Sequence, residues 1–113
     1  MDKESEQIIG QAQLYGQQMQ NIAAQKTALV MELNEMKKSL EELEKSGEKT
    51  VFKISGAILI KADAEVVRKE LNDKKEMITF RMKTLERQGE KMKEKIEELR
   101  TRMINVRPSK KEE

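Results

Sequence analysis

The sequence predicts a mainly α fold: a long antiparallel coiled-coil helical hairpin with one central β-hairpin. Three observations predict it. In the first arm, apolar residues recur at Ile8, Ala12, Tyr15, Met19, Ile22, Leu29, Leu33, Met36, Leu40 and Leu43, and only Lys26 interrupts their alternating spacing. In the second arm the same rhythm runs through Leu71, Ile78, Met82, Leu85, Met92, Ile96, Leu99, Met103 and Val106, interrupted by Lys75 and Gly89. Between the arms lies a short segment rich in β-branched residues. A period of three and a half residues sustained this long marks helices that bury one stripe against a partner helix. At 113 residues the chain is one structural unit, residues 1–113.

The first helix is expected over residues 5–46. Ser5 is its N-cap candidate, with Glu6 in the first turn. Gly47 follows Ser46 and suits the left-handed position that closes a helix. The second helix is expected over 63–107, from Asp63 with Glu65 at the positive end of the dipole. Pro108 should end it, leaving 108–113 as a polar tail. Each helix would hold roughly 40 residues and reach on the order of 60 Å. Exposed spacings such as Glu65/Lys69, Glu70/Lys74 and Glu98/Arg102 add small stabilising ion pairs.

The β-hairpin is expected over 50–61. Thr50-Val51-Phe52-Lys53-Ile54 and Ala57-Ile58-Leu59-Ile60-Lys61 flank a turn at Ser55-Gly56. With Ile54 opposite Ala57, the same antiparallel register carried into the arms sets Met36 beside Lys75, Ile22 beside Gly89 and Ile8 beside Met103. Ile58, Leu59 and Ile60 are consecutive, so apolar side chains point to both faces of the strand. An isolated two-stranded hairpin is barely stable in water, and an uncovered one is an aggregation hazard. It is therefore read as an assembly module that completes a sheet or barrel with copies or paralogues. Folding back on its own helices would cover one face but hardly both.

Composition narrows the function. The chain is 39% charged and 3% aromatic, with mean hydropathy −0.82, which cannot furnish a thick globular core. Disorder is argued against by the regular seven-residue phase. The absence of cysteine removes disulfides and thiolate metal sites and fits a reducing compartment. No basic region followed by an apolar run opens the sequence, and no apolar stretch is long enough to span a membrane. A soluble, cytoplasmic protein without membrane partners is the expectation. There is no histidine, no glycine-rich phosphate loop and no cleft to perturb a carboxylate, so no enzyme and no cofactor or metal is expected. Nucleic-acid binding is disfavoured by acids interleaved with the basic residues of the second arm, as at Glu94-Lys95-Ile96-Glu97-Glu98, and by the near absence of aromatic stacking platforms. Residues 1–46 carry five Lys against eight acids, and residues 63–113 carry fifteen Lys or Arg against twelve. Opposite signs favour pairing the arms with each other, modestly and with salt sensitivity.

One stretch departs from this charge-rich pattern. Gln7 to Gln25 holds no charged residue but has seven glutamines, Asn21, Gly10 and Gly16. Glycine in a helix costs about 1 kcal/mol relative to alanine, so this arm should be looser, opposite a second arm broken at Gly89. Ile9, Leu14 and Ile104 leave the seam here, and Met19, Met92 and Met103 are adaptable side chains. Ordinary fraying of a coiled-coil end is one reading of these features. A pliable apolar surface for another chain's exposed hydrophobic segments is the other.

The run Val51-Phe52-Lys53-Ile54-Ser55-Gly56-Ala57-Ile58-Leu59-Ile60-Lys61, leading to Glu70-Leu71, resembles the hairpin and second-helix start of archaeal prefoldin β subunits. Thr84-Leu85-Glu86-Arg87-Gln88 and the glutamine-rich first arm with Gln25-Lys26 are similar to that family too. The resemblance implies an ATP-independent chaperone subunit. Its hairpin would join an inter-subunit β-barrel in a hexamer of two prefoldin α and four β subunits, and coiled-coil tips would hold unfolded client proteins for delivery to a cytosolic group II chaperonin. Carried onto this chain, the resemblance assigns assembly to Val51, Phe52, Ile54, Ile58, Leu59 and Ile60. It assigns client contact to Ile8, Ile9, Leu14, Met103, Ile104 and Val106. Gly89 at a heptad position departs from many relatives. The alternative is a structural coiled-coil tether or filament component whose tips bind one specific partner.

Overall fold

The computed structural model describes residues 2–111, with side chains through Val106. Helix α1 (Lys3–Ser46) leads to strand β1 (Thr50–Ser55), strand β2 (Ile58–Asp63) and helix α2 (Ala64–Lys111). Both helices follow the heptad rhythm in their burial. Ile8, Leu43, Ile78, Leu85 and Leu99 are buried, and the intervening seam residues, Lys26, Lys75 and Gly89 among them, are at least half-covered. Two narrow stripes, rather than a thick core, carry the hydrophobic stabilisation.

Each helix end has an identifiable cause. The N-cap of α1 is Asp2 and not Ser5: Asp2 Oδ1 accepts the Ser5 amide at 2.7 Å, and the Asp2 carbonyl accepts from Glu6 N at 3.1 Å. Ser5 lies three residues before Ile8, one seam step earlier, and is buried there. At the other end, Ser46 Oγ donates to the Leu43 carbonyl at 2.9 Å and accepts from Glu48 N at 3.2 Å, while Gly47 takes φ 64°. That left-handed residue turns the chain out of α1 without the Cβ penalty other residues would meet. Asp63 caps α2, its Oδ1 accepting from Glu65 N at 2.9 Å. Helix α2 continues past the expected stop at Arg107 through Pro108 to Lys111. Proline's fixed φ is itself helical, and Pro108 costs this last stretch the backbone bond to residue 104 and crowds that carbonyl. Of the expected polar tail, residues 112–113 lie outside the described residues.

The strands pair antiparallel from Thr50 opposite Asp63 to Ser55 opposite Ile58. This places the two-residue turn at Gly56-Ala57, one residue later than Ser55-Gly56, and carries the hairpin to Asp63 instead of Lys61. The reason lies in Gly56, at φ 60°, with no positive φ at any non-glycine residue among the described residues. Favoured two-residue hairpin turns need a positive φ at their first central position, so the glycine must come first. Strand register and seam register are therefore offset, yet the expected neighbours Ile22 and Gly89 do meet: a Cβ built on Gly89 would lie 3.9 Å from Ile22 Cγ2. Three residues separate α1 from β1 and none separates β2 from α2, which accounts for the offset.

The chain divides into two compact units. One takes the chain up to Lys26 and from Lys83 onward; the other is Thr27–Met82 and contains the hairpin.

Candidate functional site

Within the hairpin unit, pleating sorts the side chains into two faces. Cross-strand partners share a face, so Val51, Lys53, Ser55, Ile58, Ile60 and Ala62 lie on one side. Thr50, Phe52, Ile54, Leu59, Lys61 and Asp63 lie on the other. The first face is half-covered at Val51, Lys53 and Ala62 and opens toward the turn. On the second face Phe52, Ile54 and Leu59 are 63%, 78% and 67% exposed. Ile54 stands directly opposite Leu59, with Phe52 next to them along β1. The six residues expected to carry assembly thus split three and three: Val51, Ile58 and Ile60 on the half-covered face, Phe52, Ile54 and Leu59 on the open one. Both strands also have a free edge, since the sheet is two-stranded.

The hairpin is tied to its surroundings by polar contacts that no periodicity announces. Ala64 N donates to the Lys49 carbonyl at 2.9 Å, extending the ladder one step beyond Thr50 and Asp63. Lys53 Nζ reaches the Glu70 carboxylate at 3.1 and 3.5 Å. Arg68 donates through Nε to Glu44 at 2.6 Å and also pairs with Glu65, joining α1 to the first turns of α2. Hydrogen bonds donated to Glu65 first, then to Glu44, raise the Arg68 guanidinium above its ordinary value.

In the other unit, the six residues expected to contact clients do not share one environment. Ile8 is 3% exposed and belongs to the seam, and Met103 and Val106 are half-covered seam residues. Ile9, Leu14 and Ile104 are exposed. Ile9 directly follows seam residue Ile8, and Ile104 directly follows Met103. Across this seam Lys95 Nζ sits 5.5 Å from the Tyr15 ring centroid, a cation–π contact between the helices. With Ser5 and Ile8 buried, this unit is a closed helix pair and not a frayed one.

Exposed apolar side chains also occur where none was expected. Val30, Met31, Val66, Met77 and Phe80 in the hairpin unit are all open to solvent. Their signal was available, since each lies outside the heptad seam. Among the described residues no cluster of His, Cys, Asp or Glu could hold a metal ion, and no helix is long and apolar enough to cross a membrane.

Comparison with known proteins gives a consistent result. The Prefoldin subunit family profile matches residues 6–106. The prefoldin subunit beta of Thermococcus onnurineus is 42% identical over 93 residues, covering 81% of this chain and 80% of the relative. That of Archaeoglobus fulgidus is 38% identical over 100 residues, covering 88% and 86%. The crystal structure of the prefoldin beta subunit from Thermococcus strain KS-1 superposes with a TM-score of 0.84 at 32% identity, over 93% of each chain.

Proposed function

This chain belongs to the prefoldin subunit family, and on that premise we propose that it is a β-type subunit that holds unfolded proteins at the ends of its helices. It has the fold of a prefoldin chaperone subunit, two long helices with a central antiparallel hairpin. The observation that carries the proposal is that both units expose apolar residues, one on a paired sheet and the other beside a helix seam. Phe52, Ile54 and Leu59 form a contiguous sheet face of the kind that subunit assembly covers. Ile9 and Leu14 are exposed on a stretch of α1 with no charge between Gln7 and Gln25, and Ile104 is exposed on α2. A contiguous face suits one fixed partner. Exposed apolar residues beside a charge-free stretch of helix suit many irregular ones.

In this reading the hairpin joins those of prefoldin α subunits and other β copies in a hexameric barrel. Ile9, Leu14 and Ile104 make client contact while Ile8, Met103 and Val106 hold the helix ends together beneath them. Each end buries little apolar area, so single contacts are weak and several ends on one assembly raise the effective affinity. Bound clients then pass to a group II chaperonin in the cytoplasm. Neither nucleotide nor metal takes part.

The test is removal of residues 1–14 together with 100–113. Native mass spectrometry should find the oligomer intact, lighter only by the deleted segments. Suppression of aggregation of several unrelated unfolded proteins, followed by light scattering, should be largely lost. Equal protection by the truncated complex would move the client surface to the hairpin unit. Protection of a single partner alone would favour a dedicated tether.

A further inference from the structure

The backbone pins the base of the hairpin. The Lys49–Ala64 hydrogen bond and the uninterrupted passage from Asp63 into Ala64 fix the ends of both strands. Beyond that point no strand residue is buried. Besides the Asp63 cap at the junction, Lys53, in the middle of β1, reaches α2 and meets both carboxylate oxygens of Glu70. Lys53 shares its face with Val51 and Ile60, an apolar setting in which an ammonium needs a counter-charge or a route to water. Pairing with Glu70 supplies the counter-charge and holds that face toward α2. The opposite face, with Phe52, Ile54 and Leu59, is left outward.

We propose that Lys53 and Glu70 are positioning residues: their ion pair sets the angle between hairpin and α2, and so selects the Phe52/Ile54/Leu59 face for contact with hairpins of other subunits. The inference rests on the assembly reading given above. The pair itself is half-exposed. It acts by narrowing the range of angles, not by adding much stability, and is weakened by salt.

The experiment uses charge exchange in the full chain assembled with its partner subunits. The chain has no native cysteine, so Ala57→Cys and Asp73→Cys can carry spin labels, with labelled copies diluted among unlabelled ones. The wild-type pair should give one narrow label distance that broadens in about 1 M salt, where screening acts within a few ångströms. Lys53→Glu or Glu70→Lys alone should broaden it at low salt and weaken assembly by up to about fivefold, the ceiling for an exposed pair. Lys53→Gln should do the same more mildly. The double exchange Lys53→Glu/Glu70→Lys should restore both the narrow distance and the assembly. Single reversals with an unchanged distance, or an exchange that restores neither, would overturn the proposal. A wild-type chain that fails to assemble would instead overturn the assembly reading, while the label distance would still report on the joint.

Discussion

The two units of this chain differ in where their polar contacts fall. In the hairpin unit, polar contacts link separate elements: Lys53 of β1 to Glu70 of α2, and Arg68 of α2 to Glu44 of α1. In the other unit the Lys93–Glu90 and Arg100–Glu97 pairs lie within α2, and Lys95 over Tyr15 bridges the helices. Exposed apolar residues differ in the same sense. The hairpin unit carries them on both faces of its sheet, where neighbours are fixed by backbone pairing, and on its helices at Val30, Met31, Val66, Met77 and Phe80. The other unit exposes Ile9, Leu14 and Ile104 on continuous helices that contain Gly10, Gly16 and Gly89.

The largest expected effect would break this contrast at the sheet. Phe52→Asp with Leu59→Asp should weaken assembly by at least about 100-fold, because burying unpaired carboxylates costs several kcal/mol. Helix content by circular dichroism should change little, since neither residue touches the seam stripe. Assembly at wild-type concentrations would show that the open face is not an interface.

A smaller effect sharpens the division between units. Leu85, 4% exposed in the unit without the hairpin, should cost about 2–4 kcal/mol on Leu85→Ala. Hydrogen exchange should lose protection through residues 2–26 and 83–106 while the strands keep theirs. Uniform loss along the chain would mean that the two units unfold as one. The smallest effect has the opposite sign. Gly89→Ala would place its Cβ at ordinary contact distance from Ile22 Cγ2 and gain up to about 1 kcal/mol of helix preference. A raised thermal midpoint is expected. A lowered one would show that this layer needs its gap.

The seams were legible because burial along a supercoiled helix repeats with the sequence, so Ile78, Leu85 and Leu99 could be placed without coordinates. Ser5 was misassigned because serine is a good cap as well as a tolerable small seam residue. Its distance of three from Ile8 was the clue to the second role, and Asp2 was the better cap. The turn slipped by one residue because Gly56 sits next to two eligible neighbours, and only the sign of φ at the first turn position separates them. The Lys53–Glu70 pair was not legible at all. It depends on which way the hairpin leans over α2, and no repeat in the sequence encodes that direction. Exposed and buried residues among the expected client contacts could have been separated, since Ile8, Met103 and Val106 were already on the heptad.

The direct junction of Asp63 to Ala64 also sets which insertions this lineage could tolerate. A residue added among Gly47, Glu48 and Lys49 lengthens a loop and leaves both helices in phase. A residue added between Asp63 and Ala64 would extend α2 at its first turn and rotate everything beyond by about 100° relative to the strands. The sheet face bearing Phe52, Ile54 and Leu59 would then turn away from the direction it now presents, with every side chain and both seams otherwise unchanged. Length variation among functional descendants of this chain should therefore collect on the α1 side of the hairpin.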